Sequence, residues 1–349
     1  MYGFNGGALI TIEEIKNMVE KEEYDFLRTN PHLSGRLVFL TLGGSYAYGT
    51  NVETSDVDIR GCALNRKSDL LGLSNFEQVV NTETDTTVYS FNKLVNLLVN
   101  CNPNTIELLG CKPEHYFLLT DVGRQMIENR GLFLSQKAVA SFGGYATQQL
   151  RRLQNALAKD RVSQAQTEEH IKGALERSIK SFENKFTSFE NGGIKLLTDK
   201  SQRDDLDLEV YCNIHIDKYP AREFQTLLNT LSSVVGNYEK LNHRNHKKDD
   251  AHLNKHAMHL IRLYLMCLDI LEKQEICTYR ENDRDFLLSI RNGAFQNEDG
   301  TYKQEFFELV SDYEARLRYA KENTSLPEKP NMKRIEEFVV SVNEKSVNL

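Results

Sequence analysis

A glycine pair and a hydroxyl, Gly43-Gly44-Ser45, stand ahead of two carboxylates, Asp56 and Asp58, with ten residues between Ser45 and Asp56. Glycine lets backbone N–H groups approach a ligand closely, and a turn that opens a helix presents free N–H groups that suit a phosphate. Asp56 and Asp58 are two residues apart, so on a strand both carboxylates point to one face. Paired carboxylates on a rigid strand suit a hard divalent cation such as Mg²⁺, which takes oxygen ligands and keeps substrate phosphates in its shell. A third carboxylate on a neighbouring strand would complete a two-ion site. Asp85 is preferred because it opens the strand that leads into a helix from Ser90; Glu77 and Glu83 are rivals. Two such ions can stabilise both the attacking and the leaving oxygen of an in-line displacement. With a phosphate cradle beside them, the expected reaction is nucleotidyl transfer, in which a hydroxyl attacks the α-phosphorus of an NTP and pyrophosphate leaves.

The elements that must position these groups are legible in outline. Thr11 caps a helix over 12–28, with Ile12, Ile15, Met18 and Val19 as its apolar stripe. An apolar run from Arg36 to Leu42 predicts a strand that ends at the glycine pair, and a short helix follows from Ser45. Residues 55–63 alternate, with Val57, Ile59 and Gly61 on one face and Asp56, Asp58 and Arg60 on the other. Strands are predicted at 77–81 and 85–89, then helices capped by Ser90 and by Asn102, the latter with Pro103 in its first turn. From about residue 121 helical periods dominate: 121–130, 135–160, 167–190, 221–241, 249–274, 280–291, 303–322 and 332–345. The exception is 190–220, read as an irregular insertion with one strand-like stretch at 210–216. The fold class is therefore α+β: a head over 1–120 with a small mixed sheet and flanking helices, then a large helical domain over 121–349.

Composition narrows the function classes. The chain has 349 residues, 40% hydrophobic and 27% charged, so it can bury a core without disulfides. No apolar run is long enough to span a membrane, and the first residues lack the basic flank of a secretory leader. The six cysteines include no C-x-x-C pair, which disfavours a zinc ribbon and fits a reducing, cytoplasmic setting. The formal net charge of −7 disfavours tight nonspecific binding to nucleic acid. A locally basic stretch over 137–200, including Arg151, Arg152, Lys159 and Arg161, leaves RNA open as an acceptor.

The stretch GGSYAYGTNVETSDVDIRG, followed by DTTVYSFNKLVNLLVNCNPNTIELL, resembles the DNA polymerase β-like nucleotidyltransferase superfamily. It looks most like the superfamily's bacterial and phage branch of predicted nucleotidyltransferases, which shares the glycine–serine element, an S-D-x-D strand and an Asp 17 residues before an Asn-Pro pair, here Asp85 and Asn102. The resemblance covers about 36–112 and, more loosely, 255–293. It implies Mg²⁺ or Mn²⁺ as cofactor and an NTP as donor. By motif, Gly43, Gly44 and Ser45 match the phosphate loop, Asp56 and Asp58 the shared metal ligands, and Asp85 the third ligand, which helps to deprotonate the acceptor hydroxyl.

Lys255, His259 and Arg262 lie at helical spacing on one predicted face and could contact the triphosphate. Lys93, early in the helix from Ser90, could reach a phosphate or the acceptor. Tyr46 or Tyr48, which follow Ser45, could stack on a base, with core packing an equal reading for Tyr48, and Glu107 reads as a buried structural carboxylate rather than a substrate contact. The acceptor is an RNA end, a protein side chain or a small hydroxylated molecule. A non-catalytic nucleotide-binding regulator is the reading from a different class.

Overall fold

The computed structural model describes residues 10–160, 177, 179–182, 184–186, 192–200, 208–217, 219–243, 250–298 and 300–348. Two compact units result, one of Met1–Leu153 with Ala251–Leu349 and one of Gln154–Asp250. The sequence reading drew a boundary near residue 120; in the packed chain, 121–153 and 251–349 belong with the head.

The first unit holds a five-stranded mixed sheet in the order β3-β4-β2-β1-β5. Strand β1 (Leu37–Gly43) runs antiparallel to β2 (Asp58–Ala63) and to β5 (Tyr116–Leu119). Strand β4 (Thr86–Ser90) runs parallel to β2 and antiparallel to β3 (Gln78–Asn81). The apolar face is built from Leu40, Leu42, Ile59, Ala63 and Val88, which pack with Ile15, Val19, Leu27 and Leu33 from the N-terminal helical segment. Register is what matters for chemistry. Gly43 pairs with Asp58, and Ile59 pairs with Thr86. Asp58 is thereby held between the end of β1 and the start of β4, and a slip of one residue would turn it to the apolar face.

Three predicted caps form. Thr11 and Glu14 make a reciprocal capping box, the Ser90 hydroxyl accepts from the Lys93 N–H, and the Asn102 side chain accepts from the Asn104 N–H. Other expectations shift. The helix predicted over 12–28 stops at Val19, because the Arg28 guanidinium donates to the carbonyls of Val19, Glu20 and Lys21 and supplies the partners that another turn would have used. Strand β2 begins at Asp58, so Asp56 lies in the preceding loop and not on the strand. Strand β5 has no counterpart in the sequence reading. Its four residues, YFLL, have no alternation, and only pairing with β1 makes them a strand.

The C-terminal part of this unit grips the head. The helix Asp250–Leu268 carries Arg262, whose guanidinium pairs with Glu107 at 3.1 Å; both side chains are about 5% exposed. Arg262 also lies over the Tyr48 ring, 3.6 Å from its centroid, and Tyr48 donates its hydroxyl hydrogen to Glu107 at 2.7 Å. Burial and the Glu107 charge hold the Tyr48 hydroxyl well above its usual range. Further along, the Thr278 hydroxyl donates to the Glu107 carbonyl, the Arg280 N–H to the Tyr48 carbonyl, and the Arg284 side chain to the Gly49 carbonyl. The last helix, Met332–Val347, reaches the head through Ser346, which donates to the Asn65 carbonyl, and through Phe338 against Phe91.

In the second unit, β6 (Gly192–Lys200) and β7 (Leu208–Ile216) form an antiparallel hairpin in which Leu196 pairs with Cys212. Phe182, Phe186, Ile194, Leu196, Leu227 and Val234 make its core, the last two from the helix Ala221–His243. The segment read as an irregular insertion thus contains two strands. Gly192-Gly193 reads locally as a turn, and pairing with β7 overrides it. Much of the helix expected over 167–190, and Arg161, lie outside the described residues. No helix among the described residues is long and apolar enough to cross a membrane.

The Glu107–Arg262 pair yields a stability test. Glu107→Gln leaves a buried guanidinium without its counter-charge and is expected to cost roughly 3–5 kcal/mol, read as a lower urea midpoint of the full chain. Adding Arg262→Met should recover part of that loss, because the stranded charge is then gone.

Candidate active site

Strand β1 delivers Gly43 in extended conformation and Gly44 at φ +55°, which starts the helix Gly44–Tyr48. Both glycines are required by close approach. A Cβ on Gly44 would fall 1.9 Å from Asp58 Oδ2, and one on Gly43 would fall 2.8 Å from Arg60 Cγ. The Asp58 carboxylate therefore packs directly over the glycine backbone, with the buried Ser45 next in sequence. The helix ends in the left-handed Gly49, and the turn beyond it is held by Arg291, which donates to the Thr50 carbonyl at 2.6 Å and to the Ser55 hydroxyl at 3.3 Å.

Asp85 arrives from the other side. Its turn is closed locally: Asn81 accepts from the N–H groups of Glu83 and Thr84, and the Thr86 hydroxyl donates to the Thr84 carbonyl. Asp85 itself sits at φ +44°, a conformation that costs most L-residues on the order of 1–2 kcal/mol and that Asp tolerates better than most. This residue is the strained one at the mouth of the site.

Between Asp58 and Asp85 lies Arg60. Its Nη2 donates to Asp58 Oδ1 at 2.7 Å and to Asp85 Oδ1 at 3.2 Å. Its Nη1 donates to the Asp85 carbonyl at 2.5 Å and to the Ile59 carbonyl at 3.0 Å. Burial pushes the Asp58 carboxyl up to about 6; Arg60 pulls it down, Asp85 pushes it up again, and Lys255 lowers it. Asp58 and Asp85 thus form a partly desolvated pair of like charges.

The expected residues are not all brought together. Asp56 is exposed in its loop, and among the described residues no three His, Cys, Asp or Glu side chains converge closely enough to hold a metal ion. Two carboxylates do converge. Glu77 pairs with Lys93 at 3.1 Å, which engages both that rival acid and the lysine expected to reach a phosphate. Glu83 stays exposed in the β3–β4 turn. Lys255 is exposed on its helix and contributes to the field at Asp58. Burial, then the charges of Arg262 and Lys255, hold His259 well below the usual imidazole range, so it is neutral at pH 7; its ring stands edge-on to Tyr48. Arg262, expected at the triphosphate, has its charge taken by Glu107 instead, because a buried guanidinium needs a counter-ion. Arg60 is the residue that sequence reasoning placed on the polar face without giving it a task. Its position two residues after Asp58 was the available signal.

The two meeting carboxylates fit a divalent cation. One oxygen from each already points at a single nitrogen, the arrangement that a shared cation needs, and the glycine backbone leaves room for the Asp58 carboxylate as no other residue would.

A glycine–serine turn thus ends β1 beside Asp58, the first residue of β2, and Asp85, the residue before the parallel strand β4. Residues 11–177 match the model of the RNA repair pathway DNA polymerase beta family. The match supports placing this segment with the polymerase β-like nucleotidyltransferase superfamily, whose general activity is nucleotidyl transfer. No curated protein and no solved structure matches the chain significantly.

Gly44→Ala should displace the Asp58 carboxylate and weaken Mn²⁺ binding, followed by electron paramagnetic resonance of the free ion. Gly35→Ala is the control. Gly35 also has a positive φ, +69°, but nothing lies within 4 Å of its Cβ position, so that variant should lose stability and keep wild-type Mn²⁺ affinity.

Proposed function

We propose that this chain is a metal-dependent nucleotidyltransferase that transfers an NMP from an NTP to a hydroxyl of RNA and releases pyrophosphate. The observation that carries the reading is the convergence of Asp58 and Asp85 beside the Gly43-Gly44-Ser45 turn. Asp58 and Asp85, joined by Asp56 from its loop, would hold the divalent cation. When bound, that cation supplies charge neutralisation at the reacting phosphate and at the pyrophosphate that leaves.

The rest is the work of the chain's own groups. The backbone of Gly43 and Gly44 and the Ser45 hydroxyl hold the β- and γ-phosphates. Lys255 adds positive charge on the side from which it already acts on Asp58. Asp85, the more exposed carboxylate at 56% against 22% for Asp58, accepts the proton of the attacking hydroxyl. The hydroxyl oxygen forms its bond to the α-phosphorus as the bond to the bridging oxygen of pyrophosphate breaks. Arg291 fixes the turn between Ser45 and Asp56 from behind. RNA as the acceptor is supported by the description of the matched family. Lys93 and Arg262 have no part in this scheme, because Glu77 and Glu107 already take their charges.

The test is incubation with each labelled NTP and Mg²⁺, with and without total RNA. Label should appear in RNA together with pyrophosphate. Asp58→Asn should lower the rate roughly 10²–10³-fold with the fold intact by circular dichroism. Lys255→Ala should raise the KM for the NTP more than it lowers kcat. Pyrophosphate release that persists unchanged in Asp58→Asn would sink the assignment.

A further inference from the structure

Arg60 is bound more fully than any other side chain at the site, and the proposed chemistry gives it no task. Its Nη2 takes one oxygen from Asp58 and one from Asp85, the same two groups that would share a cation. Its Nη1 holds a different kind of partner, the backbone carbonyl of Asp85, which also accepts from the Ile59 N–H. The fork is therefore divided, with one nitrogen on the carboxylates and the other on the chain that carries them. The fold leaves room for the Arg60 stem, since a Cβ at Gly43 would come within 2.8 Å of Arg60 Cγ.

We propose that Arg60 is an internal cation that competes with the divalent ion for the Asp58–Asp85 pair, and that on displacement it keeps Asp85 in place through its carbonyl. The inference rests on the metal-dependent reading of the site. Two like charges in a partly buried bay repel and are costly without a counter-charge. A guanidinium relieves this with a single delocalised charge, whereas Mg²⁺ or Mn²⁺ brings two charges into direct oxygen contact. Exchange needs only Nη2 to let go. Nη1 remains on Asp85 and holds that residue in its left-handed conformation, so the carboxylates do not splay during the exchange. Arg60 in this role is a positioning residue, and it sets a threshold for metal entry.

The experiment measures Mn²⁺ alone, titrated into the full chain and followed by electron paramagnetic resonance of the free ion. Arg60→Ala is expected to bind Mn²⁺ about tenfold more tightly than wild type, the order of a single charge-assisted hydrogen bond that no longer has to be broken. Arg60→Gln, which keeps much of the stem, carries the same expectation should Arg60→Ala fail to fold. Lys255→Ala removes a charge that acts on Asp58 only through space and is expected to change affinity by less than about twofold. Binding by Arg60→Ala and Arg60→Gln no tighter than wild type overturns the proposal, as does an equal gain in Lys255→Ala, which would reduce Arg60 to a field effect. Asp58→Asn separates the two levels of inference. If it abolishes binding while the Arg60 variants match wild type, the metal reading stands and the competition fails. If it binds as wild type does, both fall.

Discussion

A carboxylate buried to 4% exposure needs partners in place of water, and Glu107 obtains two: the Tyr48 hydroxyl and the Arg262 guanidinium. Tyr48 belongs to the short helix that starts at the glycine–serine turn, and Arg262 to the helix Asp250–Leu268. One desolvated ion pair thus fastens the C-terminal part of the first unit to the helix that starts at the glycine–serine turn. Arg262 lies over the Tyr48 ring, so charge pairing and the cation–ring contact select the same geometry. Once Arg262 is placed, the chain that follows lies where Thr278, Arg280 and Arg284 reach the carbonyls of Glu107, Tyr48 and Gly49. Arg291 then closes the turn before Asp56.

The rigidity supplied from behind contrasts with the tension in front. Asp85 sits in a left-handed conformation, Asp58 is raised toward neutrality, and one arginine offsets both. Such a site is stable only because the strands on either side are fixed in register by an apolar face that cannot slip. Strained and like-charged groups gather where a ligand is to be bound, and their relief on binding is part of what binding supplies.

The sequence made the strand–turn–helix that ends in Ser45 legible, since an apolar run, two glycines and a polar start to the next helix are local signals. The same holds for the caps at Thr11, Ser90 and Asn102. Asp58 and Asp85 were legible as candidates from spacing. Asp56 was placed on the strand by alternation, and the ladder starts later because Gly43, the last residue of β1, pairs with Asp58. Strands β5 and β6 each become strands by pairing with a partner, β1 or β7: the short apolar run of β5 carries no period of its own, and the glycine pair that opens β6 reads locally as a turn. Lys93 and Arg262 were readable as cations, yet what a cation does depends on which carboxylate folding brings to it.

The residue types and short spacings by themselves determined which groups were candidates: a turn without Cβ atoms, closely spaced acids, and a motif resembling the polymerase β-like superfamily. Those properties depend on neighbours a few residues away, which a sequence displays directly. The tertiary structure alone decided which acids meet, that Arg60 stands between them, and that Arg262 serves the core while Arg291 braces the loop. Each of these contacts joins residues far apart along the chain, and only the closure of the sheet and the burial of Glu107 bring them within hydrogen-bonding reach.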